Sequence, residues 1–273
     1  MSEKEIKETE EKKPLGPPKS TIREYFESFV VTLIMALFGM TFILQAVTVP
    51  TGSMQNTILV GDYLLVNKFV FAPGGKPLPF LPQREIKRGD IIVFKYPGNK
   101  INPASDRSHG IIPYQVNYVK RVIGLPGETV EFRDNQVFIN GQLLPEYRLV
   151  SPNPYIDTEA KTSEIEPRPE GANYSVMYSE SAMKDDREKA SETRGMNFGI
   201  AGKPMVVPED SYFVMGDNRN NSEDSRYWGF VNRDLVIGRA MFDYWSCNRE
   251  ASGGSMAGCV TNPRLNRIFK MIK

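Results

Sequence analysis

Three short stretches of this 273-residue chain carry side chains that could do covalent chemistry together. Ser53 lies in the turn sequence P-T-G-S-M, Lys120 in the apolar sequence Y-V-K-R-V-I, and Ser222 in the polar run G-D-N-R-N-N-S-E-D-S-R. A serine hydroxyl becomes a strong nucleophile when a base takes its proton, and a lysine can be that base once it has lost its own charge. These residue types are compatible with acyl transfer by a serine and lysine pair.

Ser53 follows closely after the longest apolar run in the chain. Pro50 and Gly52 favour a tight turn at this point, which would present the hydroxyl on a sharply bent backbone beside a membrane surface. A nucleophile suits that position. The alternative is an ordinary turn that ends a membrane span, and this stretch alone does not decide between the two.

Lys120 lies in a predicted strand over residues 115–123, where side chains alternate between two faces. One face carries Val116, Tyr118, Lys120 and Val122. The other face carries Gln115, Asn117 and Arg121. Lys120 is the only charged residue on its face. Burial of an ammonium group lowers its pKa by as much as ~3 to 5 units, so Lys120 is a candidate base. The alternative is a lysine whose stem packs while its charge reaches water.

The polar run that contains Ser222 lies between two apolar segments, which pin its ends. We expect it to hold Ser222 towards a buried amine, braced by an ion pair between Asp224 and Arg226. The alternative is a hydrated loop without such a role. His109 is the only histidine, so any triad with an imidazole would have to use it, but it lies in a polar, turn-rich loop where a solvated side chain is expected.

The composition disfavours several other classes of function. The 34 basic and 33 acidic side chains leave a formal net charge of +1, which argues against binding to nucleic acid. With one histidine and two cysteines the chain cannot assemble a usual zinc site, and no metal or other cofactor is expected. Cys247 and Cys259 enclose a short segment rich in glycine and serine and could form a disulfide in an oxidising compartment, the alternative being two unrelated buried thiols.

The elements that must position these residues begin with a predicted membrane span. Residues 1–24 mix both charges with proline, which predicts a disordered tail. Residues 29–49 carry no charge and are long enough to cross a bilayer, which predicts a single transmembrane helix over 25–49. A cleaved signal peptide would have a shorter apolar region and a small-x-small site. Because basic residues concentrate before the span, we expect the N-terminus in the cytoplasm and the body outside it.

Short β-type runs separated by glycine and proline follow the span, which predicts an all-β, mostly antiparallel architecture. The runs cover residues 63–70, 90–96, 115–123, 129–133, 137–140, 142–144, 212–215 and 235–244. Asn140 and Gly141 predict a two-residue hairpin turn of type I′. Residues 150–205 are polar and weakly patterned, and we expect an insertion there rather than part of the core.

Taken together, these stretches resemble the bacterial type I signal peptidases, or leader peptidases. The resemblance rests on P-T-G-S-M at 50–54, G-D-Y-L-L-V-N-K at 61–68, Y-V-K-R-V-I-G-L-P-G-E at 118–128 and G-D-N-R-N-N-S-E-D-S-R-Y-W-G-F-V at 216–231. It implies a membrane-anchored serine endopeptidase that removes signal peptides from exported preproteins after small-x-small sites, through an acyl-enzyme. The implied organisation is a β catalytic core at 50–128 and 209–246, an inserted β-rich lobe at 129–208, and a C-terminal segment at 247–273.

The resemblance also implies a role for each site residue. In this family the lysine takes the proton of the serine, and backbone and hydroxyl donors stabilise the oxyanion. The implied roles are Ser53 as nucleophile, Lys120 as general base, the Thr51 hydroxyl and Ser53 backbone N–H as oxyanion hole, and Ser222 as the residue that positions the amine, supported by Asp224 and Arg226.

Shallow apolar pockets would account for the family's preference for small side chains before the cut, and Val49 and Ile58 are the expected lining residues. Thr51 replaces the serine that is usual in relatives and has a stiffer side chain, and Asn56 stands where the family usually has proline. One span is evident where some relatives have two. These departures concern rigidity and the membrane arrangement rather than the chemistry.

The implied partners are preproteins with signal peptides, membrane lipid and the nearby protein-export translocon, all at the cytoplasmic membrane. Two other functions stay open from the sequence. A non-enzymatic, anchored β domain that binds partners predicts that Ser53→Ala and Lys120→Ala keep full function. A serine and lysine protease that processes itself or one regulator is the third hypothesis, although no DNA-binding helix pair precedes the catalytic segment.

Overall fold

The computed structural model describes residues 20–72, 76–156, 158–184 and 195–273. The chain divides into two units, Met1–Thr41 and Phe42–Lys273. Most of the tail predicted for residues 1–24 lies outside the described residues. The exceptions are Ser20, which caps a helix, and the last four residues of the predicted tail, which already belong to that helix.

The first unit contains an apolar helix, α1 (Thr21–Phe38), and the π-helical stretch that follows, Gly39–Ile43, begins in the first unit and ends in the second. The side chain of Ser20 caps the helix by accepting a hydrogen bond from the backbone N–H of Arg23. Thr21–Ile43 is long enough and apolar enough to cross a membrane. The predicted helical span therefore exists, but it begins before residue 25.

The prediction of a helix up to residue 49 is wrong at its end. Leu44–Thr48 forms the strand β1, which pairs antiparallel with β2 (Asp62–Asn67). The uncharged run is divided in this way because its last residues are partly β-branched and meet a neighbouring strand that satisfies their backbone groups. Beyond β1, the backbone N–H of Val49 donates to the carbonyl oxygen of Asp62 at 3.0 Å, which continues the pairing towards Ser53.

The second unit is an assembly of β-strands, mostly antiparallel, which confirms the predicted fold class. The remaining strands are β3 (Ile91–Lys95), β4 (Asn117–Gly124), β5 (Thr129–Arg133), β6 (Gln136–Ile139), β7 (Gln142–Leu143), β8 (Tyr147–Ser151), β9 (Ser163–Glu164), β10 (Ser175–Ser179), β11 (Met205–Val206), β12 (Ser211–Met215), β13 (Val231–Asn232) and β14 (Val236–Ser246). The largest sheet has seven strands in the order β1-β2-β14-β3-β4-β12-β13. Each of its neighbouring pairs is antiparallel.

Two smaller sheets lie within the segment predicted as an inserted lobe. One has four strands in the order β11-β5-β6-β7, and the other has three in the order β10-β8-β9, with β8 and β10 parallel. β6 and β7 are joined by Asn140 and Gly141, whose φ angles are 51° and 79°. Two successive positive φ angles define a type I′ turn, so the predicted hairpin is confirmed.

The prediction that residues 150–205 stand apart from the core is wrong for β10. Val176 and Tyr178 of this strand are buried in one apolar cluster with Phe213 and Met215 of β12. Met177, between them, is buried as well. Because both faces of the strand are covered, its apolar residues are consecutive rather than alternating, and a pattern search for half-buried strands does not find them.

Among the described residues, four short helices fill connections between the strands: α2 (Pro103–Ser108), α3 (Glu180–Lys184), α4 (Ser225–Trp228) and α5 (Met256–Thr261). Cys247 and Cys259 are joined by a disulfide, with their Cα atoms 5.2 Å apart. The bond ties the segment that contains α5 back to the end of β14.

Candidate active site

Ser53 lies in a single turn of 3₁₀-helix, Gly52–Met54, that follows β1. Thr51 precedes the turn with an extended backbone. The loop after β12 holds this turn through Asn218, whose backbone N–H donates to the carbonyl oxygen of Ser53 at 3.1 Å and whose side-chain amide donates to that of Gly52 at 3.2 Å. The turn that carries the serine is therefore fixed from outside by a loop distant in sequence.

Lys120 extends from β4 towards this turn. Its Nζ lies 2.5 Å from Ser53 Oγ, within hydrogen-bonding distance. The lysine is only 4% exposed, and its Nζ lies 5.6 Å from the centre of the Tyr118 ring. The structure thus brings together the two residues that the sequence singled out as nucleophile and base.

The surroundings of Lys120 favour a neutral amine. Burial is the main cause, and it lowers the pKa of Lys120 to about 8. Among nearby charges, Asp224 acts in the opposite direction and raises the pKa, Arg226 lowers it, and Glu223 raises it. The effect of burial on the pKa exceeds the attraction of the acids, and the carboxylate of Asp224 is itself paired with the buried Arg226.

The loop between β12 and α4 presents Ser222 through a buried carboxylate. Ser222 Oγ donates to Asp224 Oδ2 at 2.8 Å, and the backbone N–H of Gly216 donates to the same oxygen at 3.0 Å. Arg226 donates from both Nε and Nη2 to Asp224 at 2.8 Å. The ion pair expected between Asp224 and Arg226 is present, and both of its side chains are buried.

A cavity of about 520 Å³ opens beside Ser53 and Lys120. The end of β1, the turn at Ser53, the start of β4 and the loop at 220–223 form its walls. Val49 and Ile58 line it, and both are buried in one apolar cluster with Met54. Thr51 and Ser222 line it too, whereas Asp224 and Arg226 lie behind Ser222. The cavity is apolar along most of its walls and carries hydroxyl and amine groups at one place.

Arg121 lies on the opposite face of β4 from Lys120, and sequence reasoning gave it no role. It is buried and donates from Nε and Nη2 to Asp217 at 2.7 Å. Asp217 also accepts a hydrogen bond from Thr57 Oγ1 at 2.5 Å. β4 is covered on both faces, so Arg121, which keeps its charge, needs a buried partner. In the sequence, Asp217 in G-D-N-R and Arg121 in Y-V-K-R are both visible beside the predicted site residues. They are far apart along the chain, so no local pattern predicts that they form a pair.

His109 lies away from this cavity, among the residues at the end of α2. Its Nδ1 lies 2.8 Å from the carbonyl oxygen of Ser105, and the side chain is exposed. Among the described residues, no group of three or more histidine, cysteine, aspartate or glutamate side chains is placed to hold a metal ion.

Comparison with known proteins agrees with the resemblance seen in the sequence motifs. The family model described as signal peptidase, peptidase S26, matches residues 22–245. Signal peptidase I of Pseudomonas fluorescens is 34% identical over 81% of this chain and 72% of its own length. Signal peptidase I of Aquifex aeolicus is 33% identical over 91% of this chain and 97% of its own length. A probable signal peptidase I-2 of Synechocystis sp. is 29% identical over 91% of this chain and 84% of its own length. With most of its length matched, this chain belongs to the signal peptidase family, peptidase S26.

Proposed function

We propose that this chain is a membrane-anchored serine endopeptidase that cleaves signal peptides from exported preproteins after small-x-small sites. The observation that carries the proposal is the distance of 2.5 Å between Ser53 Oγ and the buried Lys120 Nζ at the edge of a cavity. The names of the signal peptidase I relatives support the substrate class.

In the acylation step, neutral Lys120 accepts the proton of Ser53 as Oγ attacks the carbonyl carbon of the scissile peptide. The tetrahedral intermediate then collapses. The peptide C–N bond breaks, the protonated Lys120 gives its proton to the leaving amine, and the signal peptide stays bound to Ser53 as an ester. Lys120 is neutral again at this point.

In the deacylation step, Lys120 takes a proton from a water molecule that attacks the ester carbonyl carbon. The bond to Ser53 Oγ then breaks, Oγ recovers the proton from Lys120, and the signal peptide leaves with a free carboxylate. The same amine therefore acts as base and acid in both halves, which its pKa of about 8 permits near neutral pH.

The oxyanion would accept hydrogen bonds from the Thr51 hydroxyl and the Ser53 backbone N–H. Thr51 lies just before the 3₁₀ turn and Ser53 lies within it. Ser222 would act as a positioning residue for the amine, since it lines the cavity with Lys120 and its hydroxyl is held by the buried Asp224. The pair of Asp224 with Arg226 keeps that hydroxyl in one orientation.

Selection of small side chains would follow from the walls of the cavity. Val49 and Ile58 are 4% and 0% exposed, so the space behind them is filled and they cannot retreat from a larger substrate side chain. An alanine before the cut fits against such a wall, whereas a leucine would overlap with it.

The location of the reaction follows from the apolar helix. We place Thr21–Ile43 across the cytoplasmic membrane with the N-terminus inside and the second unit outside, since lysines such as Lys12, Lys13 and Lys19 concentrate before the helix and Arg23 lies in its first turn, whereas the first basic residue after it is Lys68. The disulfide between Cys247 and Cys259 supports an oxidising compartment for the second unit. Membrane lipid and the export translocon, which delivers preproteins to this side, are then its neighbours.

The proposal is tested with the full chain in detergent and a preprotein whose leader ends in A-x-A. Wild type should release the mature protein, and Ser53→Ala and Lys120→Ala should not. Ser108→Ala and Lys203→Ala are matched controls at exposed positions and should cleave like wild type. His109→Ala should also keep its activity.

The outcomes separate the proposed function from the two alternatives drawn from the sequence. Absence of cleavage by wild type on a panel of preproteins rejects a signal-peptide protease and favours a binding domain or a self-processing protease. If Lys120→Ala is active, the chain is still a protease but Lys120 is not its base.

A further inference from the structure

A second cleft adjoins the active-site cavity. Its volume is about 510 Å³, and Pro50, three residues before Ser53, lines both. Val60, Tyr155, Ile156, Arg249, Glu250 and Gly254 complete its walls. Pro50, just before the turn that carries the serine, is therefore part of the wall of both cavities.

One wall of the second cleft is fastened to the turn at Ser53. The buried side chain of Gln55 donates to the carbonyl oxygens of Ile156 and Thr158. The side-chain amide of Asn218, which also holds Gly52, donates to the carbonyl oxygen of Pro154 at 2.6 Å. The loop that carries Tyr155 and Ile156 is thus held by the same groups that position the nucleophile.

The opposite wall is the loop closed by the disulfide. The carbonyl oxygen of Arg249 accepts hydrogen bonds from Gly254 N at 3.1 Å and from Ser252 Oγ at 2.9 Å, inside the ring that Cys247 and Cys259 close. A Cβ on Gly61 would lie 3.5 Å from Arg249 Cγ, so the stem of this arginine rests against the chain that returns from the nucleophile turn. The loop presents Arg249 and Glu250 as exposed charges on a fixed backbone.

The two cavities differ in chemistry. The first is lined mainly by apolar residues and suits the leader half of a substrate, whereas the second carries an arginine, a glutamate and a tyrosine at its rim. A preprotein has this same division, because its leader is apolar and the mature chain after the cut is polar and variable in sequence. A polar cleft that carries one basic and one acidic side chain can bind mature chains of either charge.

From this arrangement we propose that the second cleft binds the first residues of the mature chain, and that Arg249 and Glu250 select their charge. The proposal rests on the proposed function and assigns a role to the disulfide-closed loop, which lies outside the residues matched by the family model. Arg249 would favour acidic residues shortly after the cut, and Glu250 would favour basic ones.

The test compares two substrates that share one leader ending in A-x-A and differ only after the cut, where one carries acidic and the other basic residues. The ratio of their kcat/KM values is measured for the full chain in detergent. We expect Arg249→Glu to shift the ratio towards the basic substrate by about twofold to fivefold, and Glu250→Lys to shift it the other way. The change should lie mainly in KM, because the contact is made equally in ground and transition states.

Lys203→Glu is the matched control, since it reverses an exposed charge outside both cavities and should leave the ratio unchanged. A second pair of substrates, cut short one residue after the scissile bond, should lose the effect of Arg249→Glu. An unchanged ratio on the long substrates, or the same shift on the short ones, overturns the proposal. Wild type that cleaves neither long substrate rejects the proposed function instead.

Discussion

Lys120 is the residue on which the chemistry depends, and burial is what equips it. An ordinary lysine with a pKa of ~10.4 is neutral in fewer than about one molecule in a thousand at pH 7. With its pKa lowered to about 8, Lys120 is neutral in roughly one molecule in ten. The fold thus raises the fraction of usable base by more than about a hundredfold, without any imidazole near Ser53.

The dependence of activity on pH should report this pKa. We expect kcat/KM to rise with pH through about 8 and then level off, because the neutral amine is the active form. Asp224→Asn should move the rise to lower pH, since Asp224 raises the pKa of Lys120. The measurement is a series of initial rates at constant ionic strength. A rise that stays at the same pH in Asp224→Asn would show that another group titrates.

Thr51 should contribute to the rate through its hydroxyl. Loss of one oxyanion donor reduces kcat by about a hundredfold to a thousandfold. We therefore expect Thr51→Val to be slow and Thr51→Ser to be close to wild type in single-turnover cleavage. Equal rates for wild type, Thr51→Val and Thr51→Ser would show that the Thr51 hydroxyl has no part in the mechanism. Circular dichroism of Thr51→Val checks that this variant is folded.

At the scale of elements, the site depends on how the loop after β12 meets the turn at Ser53. Gly216 marks this contact, because a Cβ there would collide with Ser222 Cβ at 2.6 Å and with the backbone oxygen of Ser53. Asn218, two residues later, bonds to both Gly52 and Ser53. The loop and the turn therefore hold each other, and a small displacement of one moves the other.

Gly216→Ala should separate the two elements and slow the reaction. A misplacement of about 1 Å can cost about a hundredfold in rate, and we expect a loss of kcat of that order. Gly127→Ala is the control, since its φ of 79° makes alanine strained but the nearest atom outside the turn lies 4.0 Å away. It should lower the melting temperature without loss of kcat. Full activity of Gly216→Ala would show that the loop and turn tolerate separation.

At the scale of the whole molecule, the active site reduces the stability of the fold. The depressed pKa of Lys120 means that the folded state resists holding a proton that the unfolded chain binds readily. The free energy of unfolding should therefore rise as pH increases from about 8 towards the ordinary value of 10.5, and stay lowered below pH 8.

Lys120→Met should accordingly stabilise the protein while abolishing cleavage. A difference of two to three pKa units corresponds to about 3 kcal/mol, and methionine fills a similar space without a charge. Denaturant unfolding of the full chain in detergent at pH 7, followed by the fluorescence of buried Trp228, measures the change. A variant less stable than wild type at pH 7 would mean that the amine contributes more through its contacts than it costs through its charge.

Much of this molecule could be predicted from the sequence alone, because local chemistry controls it. The turn at Asn140 and Gly141, the strand over Thr129–Arg133 and the apolar helix depend on neighbouring residues, and each was recognisable. The three motifs likewise identified Ser53 as a candidate nucleophile and Lys120 as a candidate base, since their types and surroundings are unusual.

Other features were decided only by the tertiary structure, because they depend on partners distant in sequence. Leu44–Thr48 is a strand rather than a helix since β2 offers it backbone partners, and β10 is core since β12 covers it. Arg121 is buried since Asp217 neutralises it. The short distance between Ser53 and Lys120, and the position of Pro50 in the walls of two cavities, arise from the packing of the sheet against its loops, and the order of residues along the chain does not contain this information.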